Sequence, residues 1–134
     1  MPLCAWKDNY SVEIEQLDVH HKNLFRIFNV LYENTVHSTE VEDVLSIISE
    51  LQEYTKYHFL TEEQYMLDIG FPGTDEHIDK HRDFARQITD LNSRHRDDDL
   101  EMTKELIVVL GNWLLHHVLE EDHKYLKWQK GESI

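Results

Sequence analysis

Four stretches of the chain repeat their apolar residues at alternating steps of four and three, and this period constrains the fold more than any other feature. It draws one apolar stripe along an α-helix, because residues three and four apart stack on the same face. The first stretch carries Leu17, Leu24, Phe28 and Leu31, with His21 filling the gap, and predicts a helix from about 18 to 37. The second runs through Val44, Ile48, Leu51, Thr55, His58, Glu62, Tyr65 and Ile69 and predicts a helix over about 40–69, with Ser38-Thr39-Glu40 as its cap and Gly70 as its stop. Phe71-Pro72-Gly73-Thr74 is the clearest loop. Thr74, Asp75 and Glu76 then open a third helix, about 74–92, with His77, His81, Phe84, Ile88 and Leu91 on its stripe. The segment Ser93 to Asp99 has no apolar residue and is expected to be a solvated turn. A fourth helix, about 100–128, carries Leu106, Leu110, Trp113, His117 and Glu121 near one face. Residues 1–16, with Trp6 and Tyr10, show no period and predict an irregular arm that packs Trp6 onto the body.

Four amphipathic helices with short connections bury one another's stripes most economically as an all-α, up-down-up-down antiparallel four-helix bundle. At 134 residues this is expected to be a single domain, 1–134. The 27 acidic residues against 13 basic ones leave a net charge of −14, which argues against a nucleic-acid partner. No run approaches the length of a membrane span, and the N-terminus lacks the charged and apolar regions of a signal peptide. A lone Cys4 suits a reducing compartment, so the expected location is the cytoplasm.

The stripes are interrupted by His21, His58, Glu62, His77, His81 and His117, at positions where a bundle core normally takes Leu, Ile, Val or Phe. His37, His95, His116 and His123 are read as ordinary surface or packing residues, and so at first is His20. A single histidine on a stripe means little. Burying several imidazoles and a carboxylate without a partner would cost several kcal/mol, and a metal ion removes that cost. The pair His77 and His81, four residues apart, is by itself compatible with zinc.

Taken in order, these residues resemble the bacterial hemerythrins, single-domain non-haem di-iron proteins. The matching motifs are Asp18-Val-His-His21-Lys22, His58-Phe-Leu-Thr-Glu62-Glu63, His77 to His81, and Trp113-Leu-Leu-His-His117 to Asp122. The resemblance covers nearly the whole chain and implies seven ligands: His21, His58, Glu62, His77, His81, His117 and Asp122. Two of these are not settled by spacing. At about 100° per residue His21 lies only marginally nearer the stripe centre than His20, and the resemblance chooses His21. His20 stands where the family usually has Gln, a departure that points to contact with the ligand shell. In the fourth helix a regular turn aligns Glu121, and not Asp122, with His117, since a step of five overshoots by about 140°. The resemblance chooses Asp122 and so implies a locally widened turn, or π-bulge, between them.

The same resemblance implies two iron ions joined by an oxo or hydroxo bridge, with Glu62 and Asp122 as bridging carboxylates. The iron with His77, His81 and His117 is then saturated, and the iron with His21 and His58 keeps one open position for O₂. Phe59, Trp113 and Leu114 are the candidate pocket walls. No proton-donating side chain is identified beside the open position. The function implied is reversible O₂ binding for storage, delivery or scavenging, by a monomer that is not an enzyme. Two other classes share these ligands: an oxygen, redox or nitric oxide sensor and a di-iron oxidase or peroxidase. No signalling segment is expected beyond Ile134, so a sensor would act through an unidentified protein partner.

Overall fold

A computed structural model describes residues 3–37, 41–96 and 100–132, without the side chains of 41–43, 94–96 and 100–102. The elements are α1 (Glu15–His37), α2 (Val41–Ile69), α3 (Thr74–Arg96), α4 (Leu100–His116), a π-helical turn (His117–Glu121) and α5 (Asp122–Gln129), which continues α4. α1 and α3 each pack against α2 and α4, so each long helix lies between two neighbours in a four-helix bundle. No helix among the described residues is long and apolar enough to cross a membrane.

Where the helices differ from the sequence reading, local chemistry explains it. α1 begins at Glu15, with acidic residues in its first turn. One of them, Asp18, accepts from the Val12 amide at 2.8 Å and the Ser11 hydroxyl at 2.5 Å, tying the arm to the helix start. α3 runs to Arg96, past the point where a turn was expected. The apolar stripe ends at Leu91, but an exposed turn needs no apolar residue to stay helical. Residues 97–99, and the cap expected at Ser38 to Glu40, lie outside the described residues.

α2 stops at Gly70, whose φ of 71° is the left-handed conformation that glycine adopts at least cost. The Gly70 amide donates to Leu67 and the Phe71 amide to Met66, which satisfies the last carbonyls of the helix. The chain then turns into α3 with the Thr74 hydroxyl donating to the Phe71 carbonyl at 2.6 Å. The arm contains one short 3-10 turn, Asp8–Tyr10. Trp6 lies against Tyr10 and Phe25, ring centroids 5.8 and 5.7 Å away, beneath the Lys22 ammonium. Leu3 and Cys4 rest on α4 at Gly111, where an added Cβ would come within 3.0 Å of the Leu3 side chain.

The core is divided. A large apolar cluster includes Leu24, Phe28, Ile48, Leu51, Phe84, Ile88, Ile107 and Leu110, and a smaller one holds Val12, Leu17, Met66, Phe71 and Tyr125. On each helix the polar stripe residues fall between the two. They are closed off from solvent at both ends.

Candidate metal centre

Buried polar side chains from every long helix meet between the two apolar clusters. His21, Glu62 and Asp122 have no exposed surface, and His58, His77, His81 and His117 are buried with them. Two groups bring one ligand atom from each member to within 4.8 Å of all the others. Glu62, His77, His81, His117 and Asp122 make one group; His21, His58 and Glu62 make the other. The seven residues singled out in the sequence therefore come together in one place.

Glu62 and Asp122 stand between the two groups. Glu62 Oε1 lies 2.9 Å from His77 Nε2 and 3.0 Å from His81 Nε2, while Oε2 lies 3.4 Å from His21 Nε2 and from His58 Nε2. Asp122 Oδ1 lies 3.0 Å from His77 and 3.2 Å from His117, while Oδ2 lies 3.1 Å from His21. Despite this crowding, both Asp122 oxygens and both His21 ring nitrogens make no hydrogen bond. Buried polar atoms rarely lack a partner, and the Asp122 oxygens and His21 Nε2 face the other ligand atoms across the centre, which is the arrangement a shared cation requires. Imidazole and carboxylate together suit divalent iron, manganese or zinc. The residues present fit a metal pair.

Asp122 reaches the centre because of the π-turn. Its amide donates to the His117 carbonyl, five residues back, so one turn holds an extra residue and both side chains face inward. The His123 ring, at Nδ1, donates to the Val118 carbonyl at 2.8 Å, satisfying another backbone oxygen of the widened turn. Glu121, the choice of a regular helix, points outward to Lys80 at 2.6 Å and Lys124 at 3.0 Å. Burial would raise its pKa, but these two ammonium groups bring it below the usual carboxylate range.

Supporting contacts fix several rings. The His81 Nδ1 faces Glu63 at 2.8 Å. Phe59 stacks on His81 with centroids 3.7 Å apart, and Trp113 stacks on His117 at 4.5 Å. Leu114 is buried in the large cluster, and Phe59 also meets His58, at 5.8 Å. A cleft of about 300 Å³ between α2 and α3, lined by Thr55, Phe59, Leu60, Glu63, His81 and Ile88, leads inward to the His81 ring. Of the remaining histidines, His37 and His116 are exposed and His123 is partly buried; the His95 side chain is not described. His20 differs from these, being buried with its Nδ1 3.0 Å from that of His58.

Tyr125 is the residue that sequence reasoning missed. It is wholly buried, and its hydroxyl donates to Glu62 Oε2 at 3.3 Å, so a protonated group does lie on the His21 and His58 side. Burial, then the charges of Glu62 and Asp122, hold its phenol well above the ordinary pKa, so it keeps its proton. A regular fourth helix would carry the inward face from His117 to Glu121. The extra residue of the π-turn shifts that face to Asp122 and Tyr125.

Stripped of metal, the cluster should hold protons instead. Burial lowers the pKa of His21 and His77, but the neighbouring Asp122 and Glu62 outweigh it and carry them up to about 9 and about 10. Burial prevails at His58, which falls to about 4. Both raised histidines are thus charged at neutral pH in the folded metal-free protein. Their stabilisation is complete below the unfolded value of 6.5 and gone once pH passes the folded values of about 9 and 10. The melting temperature of metal-free protein should therefore fall between pH 7 and 10, and metal binding should strengthen with pH because the ion displaces these protons. Thermal scans and metal titrations at several pH values measure both; a flat profile in each would contradict the arrangement.

Residues 12–128 match the family model described as the Hemerythrin HHE cation binding domain. The chain is 31% identical to a bacteriohemerythrin of Clostridium acetobutylicum, over 91% of this chain and 98% of the relative. It is 27% identical to a myohemerythrin of Theromyzon tessulatum, over 90% of this chain and 88% of that one. A crystal structure of a hemerythrin with a leucine-to-alanine substitution superposes with a TM-score of 0.84 at 21% identity, covering 93% of this chain and 95% of that one.

Proposed function

From a chain that belongs to the hemerythrin family, we infer a protein that binds O₂ reversibly at two iron ions held by this cluster. The observation that carries the reading is that each carboxylate faces both ways. Glu62 offers Oε1 to His77 and His81 and Oε2 to His21 and His58; Asp122 offers Oδ1 to His77 and His117 and Oδ2 to His21. One ion would be held by His77, His81 and His117 and the other by His21 and His58, with both carboxylates shared. The ligands are then unequally divided, and the two-histidine half is left with room for a small molecule.

When bound, the iron pair supplies the two electrons that O₂ takes up on binding and returns on release. The protein supplies the setting. Five neutral imidazoles against two carboxylates stabilise high oxidation states less than a carboxylate-rich site would, which favours release of intact O₂ over cleavage of its O–O bond. Apolar clusters at both ends keep water from the pair, and the Tyr125 hydroxyl holds Glu62 Oε2 in place without giving up its proton. These features support a carrier in preference to an oxidase.

The test is to load the protein with iron, reduce it without oxygen, and admit O₂. Visible charge-transfer bands should appear at once and vanish under vacuum, over repeated cycles. Immediate, irreversible conversion to the oxidised form without a detectable adduct would overturn the carrier reading. Turnover with a supplied reductant would favour an enzyme.

A further inference from the structure

His58 is one of two imidazoles at the less saturated half of the centre, and its far ring nitrogen meets an unexpected partner. The His20 and His58 rings cross at 81° with centroids 5.2 Å apart and Nδ1 atoms 3.0 Å apart. Two ring nitrogens at that distance form a hydrogen bond only if one carries a proton and the other does not. His58 Nε2 faces Glu62 Oε2 at 3.4 Å, so this is the nitrogen whose lone pair is available to a metal ion. Its proton must then sit on Nδ1. It follows that His58 donates, that His20 Nδ1 accepts, and that the His20 proton resides on Nε2. His20 is held in this position by Tyr54 and Tyr57, ring centroids 5.7 and 5.0 Å away.

We propose that His20 is a positioning residue that locks His58 in the tautomer and orientation needed to hold the metal ion shared with His21. This rests on the ligand assignment above and deepens it. The two halves of the centre are then supported by different chemistry. On the three-histidine side the His81 ring has a carboxylate, Glu63, at 2.8 Å; on the other side His58 has a neutral imidazole. A ligand histidine becomes more basic when its free N–H is accepted, and a charged acceptor does this more strongly than a neutral one. The half left with an open position therefore has the weaker donor support. His21 has no acceptor for its own Nδ1, so the support of that half depends on His20.

The direct test needs no substitution. In zinc-loaded, ¹⁵N-labelled protein, the imidazole correlations should show His58 protonated at Nδ1 and His20 at Nε2; a His20 ring protonated at Nδ1 overturns the proposal. The second test is competition for Fe(II) against a chromogenic chelator under anaerobic conditions. His20→Phe keeps a flat ring but removes the acceptor, and should weaken one of the two bound ions by ~10–100-fold. His20→Gln, whose amide oxygen can accept the same proton, should restore most of that loss, which a purely space-filling role would not predict. Wild-type affinity in His20→Phe, or no recovery in His20→Gln, overturns the proposal. His77→Ala serves as the reference. If it loses iron while His20→Phe does not, only the role of His20 fails; if it too binds iron normally, the ligand assignment itself is wrong.

Discussion

Glu62→Gln should abolish retention of both metal ions, although the substitution barely changes the size of the side chain. Glu62 is the one residue common to both ligand groups. Its four short contacts to His21, His58, His77 and His81 divide evenly between its two oxygens, so the charge is spread over both halves. An amide has one acceptor oxygen and turns two N–H donors towards ring nitrogens that must remain free to ligate. It cannot bridge. Removing one partner from a buried charged network typically costs ~3–5 kcal/mol, so the variant should also melt well below the wild type in the metal-free state. In that state burial would raise the Glu62 carboxyl, but the surrounding imidazoles hold it well below the usual range, so the wild type keeps the anion that pairs with His21 and His77. Metal content after equilibrium dialysis and thermal scans check the two claims separately. Two ions retained per Glu62→Gln chain would refute the shared-carboxylate geometry.

Asp122→Asn and Glu121→Gln should behave oppositely although the residues are neighbours. Asp122 is fully buried, its carboxylate reaches His21, His77 and His117, and neither carboxylate oxygen makes a hydrogen bond. Neutralising it should weaken iron binding by more than the ~10–100-fold typical of losing a supporting contact. Glu121 is engaged with Lys80 and Lys124 at the surface, where ion pairs are worth ~0–1 kcal/mol. Its substitution should leave metal content unchanged and shift stability slightly. Chelator competition on both variants decides the matter; loss of iron in Glu121→Gln with retention in Asp122→Asn would mean that α4 is regular in solution through this turn.

The contrast between these two acids shows how far a sequence can be read. The stripe of Leu17, Leu24, Phe28 and its counterparts is a local property, set by 3.6 residues per turn, and it specifies helices whatever they pack against. Polar residues on such a stripe are equally legible, because nothing but a partner makes burying them tolerable. His21, His58, Glu62, His77, His81 and His117 could be picked out in this way. Asp122 could not, since regular geometry turns it away from His117, and only resemblance to other chains selected it. Tyr125 was missed for the same reason, its inward position existing only downstream of the π-turn.

His20 illustrates a different boundary. Its place beside His21 is evident in the sequence, and spacing separates the two only marginally. Which ring enters the centre and which stands behind it depends on where α2 brings His58, Tyr54 and Tyr57. That is a property of two helices packed together.

The sequence by itself determined the four helices, the face each one buries and the chemical kind of group placed at the middle of the bundle, because period and burial cost act along a single segment. Helical period alone left open the π-turn at His117–Glu121 and the choice of Asp122 over Glu121, which resemblance to other chains had to supply, and only the tertiary structure decided the contacts of His20 and Tyr125. Widening a helix by one residue is locally unfavourable. It persists because a buried carboxylate, a Tyr125 hydroxyl and converging imidazoles from three other segments can meet only if that turn gives way.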